Sequence, residues 1–274
     1  MTVMTEQNPE LKHDNSSIKP SNNTFDTESK QNLEQQHQPH VIAQRLKQPP
    51  KSQNISDAIL GAMDGCVTTF AIVSGSVGAG FPASVALIMG AANLLADGFS
   101  MGISNYEANK AQQEFIQHIR QTELEHIEQI PLGEKEEIRQ IFESKGFSGK
   151  TLEQIVSTIS QNRTLWVDTM LIEEHGVQPH YQNAKKAALT TFSAFILVGA
   201  IPLIPFLFST LEMGQQFVIS AILAASMFMT IGLIKSKLLG KFSIQSGLKT
   251  LLTGTVAAGL AFLVGYLLRE LLGV

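Results

Sequence analysis

Two long stretches of this chain, 55–105 and 187–268, carry very few charges, and the 107–186 segment between them is heavily charged. A soluble domain spreads its charge over one continuous surface. Long apolar runs separated by a charged block are instead the pattern of a chain that crosses a bilayer several times. The fold class expected is therefore an all-α membrane protein.

Taking about 20 apolar residues per crossing, five spans are expected, at 55–77, 83–106, 187–208, 215–234 and 247–268. The run Gly78-Ala79-Gly80-Phe81-Pro82 separates the first two, and Pro202 and Pro205 fall near the end of the third. Small residues crowd the second span (Gly90, Ala91, Ala92, Ala96, Gly98) and the fifth (Gly254, Ala257, Ala258, Gly259). In lipid, such residues let helix backbones approach closely. Basic residues mark alternate sides. Arg45, Lys47 and Lys51 precede the first span, the 107–186 insert is rich in Lys and Arg, and Lys235, Lys237 and Lys241 join spans four and five. The positive-inside rule then puts the N-terminus and the insert in the cytoplasm and the C-terminus outside.

The first 54 residues are polar and rich in Gln, Asn, Ser and His, with no apolar core of a signal peptide. They read as a disordered cytoplasmic tail. The single cysteine, Cys66, excludes a disulfide within the chain and a thiolate zinc site. A net charge of −4, with no basic cluster interleaved with aromatics, gives no argument for nucleic acid.

The insert has helical patterns of its own. Breaks at Pro131-Leu132-Gly133, Lys145-Gly146 and Gly176 leave three, at 107–130, 134–144 and 152–175, the last broken near Asn162. No breaker separates Tyr106 from Glu107, so the first of them continues the second span out of the membrane.

Two groups of side chains carry chemistry. In the membrane, Asp64 lies mid-way along span one, and Asn93, Asp97 and Met101 repeat every four residues along one face of span two. A carboxylate at the bilayer centre costs several kcal/mol, of order 3, unless something neutralises it. Neither span contains a Lys or Arg to do so. A cation, protons or water must compensate; the alternative is that both acids are protonated and bond between helices. Two carboxylates with a thioether form a ligand set suited to Fe2+ and Mn2+ over Mg2+ or Ca2+. In the insert, Glu123 and His126 are three apart, Glu134 and Glu137 three apart, and Met170 and Glu174 four apart. If the three helices turned these faces together they would form a carboxylate–imidazole–thioether pocket. For any one Glu, a solvated face or a helix-start charge, as at Glu134, is the better explanation; the combination is stronger than its parts.

At these residues the chain resembles the vacuolar iron transporter family, in a prokaryotic-type branch. The matching stretches are Asp64-Gly65, Ser100-Met101-Gly102 with Tyr106, Asp168-Thr169-Met170 with Glu174 and Gly176, and Ile201-Pro202-Leu203-Ile204-Pro205. The resemblance covers about residues 55–270. It implies a homodimer of five-span subunits, with the metal path at or near the dimer interface. It further implies export of Fe2+, and often Mn2+, from the cytosol in exchange for protons. The membrane site would use Asp64 and Met101. The insert would gather metal with Glu123, His126, Glu134, Glu137, Met170 and Glu174. Eukaryotic members carry Glu at the positions of Asn93 and His126; Asp97, one turn along, is the replacement for the missing carboxylate at Asn93.

The function expected is a divalent metal/proton antiporter, not an enzyme, with no tightly bound cofactor and with metal and protons as cargo. The membrane expected is a bacterial inner membrane, with a vacuolar one as the alternative. Two other classes compete. A ferritin-like di-iron oxidase would use Glu123-Leu124-Glu125-His126, but needs a second Glu-x-x-His that Glu173-Glu174-His175 does not supply. A membrane-anchored metal sensor or scaffold would have no use for Asp64 and Asp97.

Overall fold

In a computed structural model of the chain, residues 33–47, 52–178, 183–238, 240 and 242–273 are described. Within the stretch expected to be disordered, α1 (Pro39–Lys47) is helical; the tail before residue 33, with His13, lies outside the described residues. α1 belongs to one compact unit, and everything from Pro50 onward forms a second.

The second unit is helical throughout its described residues. Its elements are α2 (Ser52–Gly78), α3 (Ala83–Gln129), α4 (Pro131–Ser144), α5 (Gly149–Ser160), α6 (Arg163–Glu173), α7 (Ala184–Gly199), a 3-10 segment (Ile201–Leu207), α8 (Met213–Leu238) and α9 (Ile244–Leu272). Four of these, α2, α3, α8 and α9, are long and apolar enough to cross a membrane. A fifth crossing is made if α7 and the 3-10 segment count as one. That third span is not a straight helix. It bends by 40° after Gly199, where Pro202 and Pro205 remove backbone donors.

α2 is the central helix. It packs most extensively on α7 and then on α9, and also touches α3 and α8. The closest approach is made by glycines. A Cβ at Gly61 would collide with the Thr191 carbonyl oxygen, and one at Gly65 with the Phe195 carbonyl oxygen. Gly61 and Gly65 are four residues apart, so they form one smooth strip on which the α7 backbone lies. Around that strip, Cys66, Phe70, Val73, Leu94, Phe195 and Phe228 make the apolar core. α9 is the least covered span, with Leu248, Leu252, Val256 and Leu260 turned outward.

The 47 residues of α3 form one unbroken helix about 70 Å long, at 1.5 Å per residue. Its first half lies in the bundle. Its second half carries the insert through two apolar clusters. Ile116 meets Val167 and Leu171 of α6, and Ile127 joins Ile138, Leu152, Val156, Ile159, Trp166 and Met170. α4 starts with Pro131 in its first turn, a position that needs no backbone donor. The break between α5 and α6 falls at Gln161-Asn162, where the Asn162 side chain caps α6 by accepting from the Leu165 N–H at 3.1 Å.

Candidate functional site

The bundle site lies between α2 and α3. Asp64 is half-buried on α2, and Asp97 on α3 is near enough for the two charges to interact. Neither α2 nor the 83–106 half of α3 contains a Lys, Arg or His. Asn93 lies one turn before Asp97, and its Nδ2 is buried without a hydrogen-bond acceptor. Met101, one turn after Asp97, packs against the same apolar core as Met63, the neighbour of Asp64 in the chain. Thus Asp64 and Asp97 are brought together, and Asn93 and Met101 extend the stripe along α3 on either side.

A second polar group at this end of the bundle escaped the sequence reading. Asp57 is buried, and Asn105 Nδ2 donates to its Oδ1 at 3.0 Å and to Thr191 Oγ1 at 2.6 Å. The Thr191 hydroxyl in turn donates to the Asp57 carbonyl at 3.4 Å. One carboxylate thereby ties α2, α3 and α7 together. The sequence did hold a signal: Asp57 is seven residues, two helical turns, before Asp64, and so shares its face.

The insert site is built where the far half of α3 meets the start of α4 and the end of α6. Glu123 and Glu134 are almost wholly buried, at 3% and 1% exposure. Each has one carboxylate oxygen, Oε2, buried without a donor. His126 Nδ1 lies 3.4 Å from Glu134 Oε1, and His175 Nε2 lies 2.9 Å from Glu123 Oε1. Glu174 Oε2 is 3.7 Å from the same His175 nitrogen. Two trios therefore have donor atoms within 4.8 Å of one another, Glu123–His126–Glu134 and Glu123–Glu174–His175. Around an ion with bonds of about 2.1 Å, neighbouring ligand atoms are about 3.0–3.4 Å apart, so the spacing suits a divalent transition metal.

Electrostatics agree with that use. Burial, then the Glu137 and Glu123 charges, push the Glu134 carboxyl up to about 7, against the pull of His126. Burial, then Glu123, also raise Glu174. Five other acids of the insert are neutralised elsewhere: Glu128 by Arg163, Glu173 by Lys145, Asp168 by Arg120, and Glu136 and Glu153 by Arg139. Of the residues singled out from the sequence, Glu123, His126 and Glu137 all lie near enough to act on both Glu134 and Glu174. Met170 differs. It is fully buried in the apolar cluster with Trp166 and Ile138, one turn before Glu174. His175 belongs to the cluster and was set aside in the sequence because its spacing does not fit a Glu-x-x-His motif.

The VIT family model matches residues 55–266. The "Vacuolar iron transporter" of Toxoplasma gondii (strain ATCC 50861 / VEG) is 30% identical over 231 residues, which are 81% of this chain and 76% of that protein. The protein of the same name from Plasmodium berghei (strain Anka) is 32% identical over 225 residues, 79% of this chain and 82% of that one. "Vacuolar iron transporter 1" of Tulipa gesneriana is 28% identical over 239 residues, 86% and 93% of the two chains.

Proposed function

This chain belongs to the VIT family, and from that premise we propose that it exports Fe2+, and Mn2+ with it, from the cytosol by exchange for protons. The observation that carries the reading is the unbroken α3. It joins the Asp97–Met101 stripe in the bundle to Glu123 and His126 in the insert. From Met101 to Glu123 the helix rises about 33 Å, at 1.5 Å per residue. The insert, on the cytoplasmic side, collects the ion. Asp64, Asp97 and Met101 carry it through the membrane, with Asn93 as a neutral oxygen donor. Protonation of the carboxylates from the far side releases it, because a carboxylate gives up a metal as it takes a proton. The working unit is a homodimer in a bacterial inner membrane, and the outward apolar face of α9 is available to lipid or to the second copy.

Proteoliposomes holding a metal-quenched dye test this directly. Fe2+ entry should accelerate when the lumen is more acidic than the bath, so that protons leave as metal enters, and Asp64→Ala should reduce the rate at least about tenfold, the loss of one ligand's worth of stabilisation. Asp64→Ala transporting at the wild-type rate would remove the membrane site from the reading.

One observation favours a second reading. The insert cluster holds four carboxylates (Glu123, Glu134, Glu137, Glu174) and two imidazoles (His126, His175), the donor tally of a di-iron carboxylate centre. Oxygen uptake on adding Fe2+ to the reconstituted protein separates the two; the transporter reading expects none.

A further inference from the structure

His175 is fixed in place by the way α6 ends. Its own N–H donates to the Met170 carbonyl at 3.2 Å, and the Val177 N–H reaches back to the Leu171 carbonyl at 2.9 Å. Such wide closing bonds are found at helix C-termini. Between them Gly176 takes φ +66°, where glycine is favoured because it has no Cβ to clash with the next carbonyl. Val177 packs beside Leu171 and Ile116. The turn is therefore anchored on the apolar contact between α6 and α3. It aims the imidazole at Glu123 on α3 rather than into solvent.

The far oxygen of the Glu123 carboxylate, Oε2, is buried and has no donor. That is the arrangement of a carboxylate waiting for a cation. If His175 were a mere hydrogen-bond support it would satisfy one oxygen and leave this one orphaned, which is unfavourable for a buried acceptor. Glu174 approaches the same imidazole nitrogen at 3.7 Å, which closes the trio on one side of Glu123. On the other side of Glu123, His126 and Glu134 close the second trio.

We propose that His175 is a ligand for the transported ion, and that with His126 it sets which ion the insert accepts. Glu123 is common to both trios and each trio has one imidazole, so a cation held by either gains one nitrogen donor. Imidazole suits Fe2+, Co2+, Ni2+ and Zn2+; oxygen-only sites suit Mn2+, Mg2+ and Ca2+. The insert is thereby biased toward the nitrogen-preferring ions and against Mn2+. This inference rests on the reading of the insert as the collector of cargo, and it narrows the cargo.

The test uses the full chain in nanodiscs, with Zn2+, Co2+ and Mn2+ as probes. Zinc-edge X-ray absorption counts imidazoles on the bound ion, and competition dialysis gives the Co2+ over Mn2+ preference. His175→Gln should lose imidazole scattering relative to wild type and lower the preference about tenfold, a typical loss when a metal-site partner is removed. His175→Glu keeps a donor but makes it oxygen; it should bind Mn2+ at least as well as wild type and still lack the imidazole signal. A purely structural histidine would move neither readout. If both variants keep the wild-type imidazole count and preference while Glu123→Gln and His126→Gln weaken binding, His175 is not a ligand and the collecting site survives without it. If Glu123→Gln and Glu134→Gln also bind as wild type does, the collecting role of the insert fails together with the inference.

Discussion

Glu134 shows how a single side chain can record the purpose of a site. Its carboxyl has an ordinary value of 4.5 and is pushed up to about 7 by burial and by the Glu137 and Glu123 charges. The folded state therefore holds this proton more tightly than the unfolded chain does. Its contribution to the metal-free protein is complete below about pH 4.5 and is lost as pH rises toward 7. Glu174 shifts in the same direction. The metal-free insert should thus melt at a lower temperature at pH 8 than at pH 5.5. Glu134→Gln should flatten that dependence, and Mn2+ should raise the pH 8 melting point toward the acid value. Trp166, the only tryptophan, is buried in the apolar cluster of α5 and α6, so its fluorescence follows this unit alone. Most of this site could be read from the chain, because helical spacing puts Glu123 with His126 and Glu134 with Glu137. His175 could not be. It lies past the end of α6, where spacing no longer dictates direction, and only the turn at Gly176 aims it inward.

At the scale of elements, helix identity was legible from apolar run length and breakers, and helix contact was not. Span two and its charged continuation are one helix, as the absence of a breaker after Tyr106 implied. The expectation of tight contacts from small residues pointed to spans two and five. Gly254 of α9 does lie tight under the Phe228 ring and Gly90 of α3 under Leu203. The backbones themselves, however, meet where Gly61 and Gly65 of α2 face α7 and where Gly78 of α2 and Gly265 of α9 face each other's helix, and Gly259 of α9 has nothing near it. Composition counts small residues; only the fold shows which face receives a partner. Gly65 adjoins Asp64, so the α2–α7 contact also sets where that carboxylate stands. Gly65→Ala should force the helices apart, at a cost of about 1–3 kcal/mol for overpacking. It should lower both the melting temperature and the Fe2+ transport rate. Gly259→Ala, placed in open space on α9, should change neither. Asn105→Leu belongs to the same class of change. It removes the Nδ2 bond to the Asp57 carboxylate and should destabilise the α2–α3–α7 junction by about 1.5–3 kcal/mol, the contribution of a hydrogen bond to a charged group.

For the molecule as a whole, the central question is whether the two candidate sites must be joined rigidly or only kept close. α3 offers a direct answer, since among the described residues no other helix runs continuously from the bundle into the insert. Ala111 lies on its exposed surface between the two regions, ten residues past Met101 and twelve before Glu123. Proline there removes a helix hydrogen bond and clashes with the carbonyl one turn back, at a cost of about 3 kcal/mol, and kinks the stem. The insert has its own apolar clusters and should keep its shape and its Co2+ affinity, read from Trp166 fluorescence. The bundle should likewise keep its core. If the stem aligns the collecting site over the membrane path, Ala111→Pro should reduce transport several-fold at low external metal, where capture by the insert limits the rate. At saturating metal, where ions reach Asp64 and Asp97 unaided, the deficit should narrow. A variant that binds metal normally and also transports at the wild-type rate at every concentration would mean that the insert acts as a local reservoir, and that the continuity of α3 is a matter of folding and not of delivery.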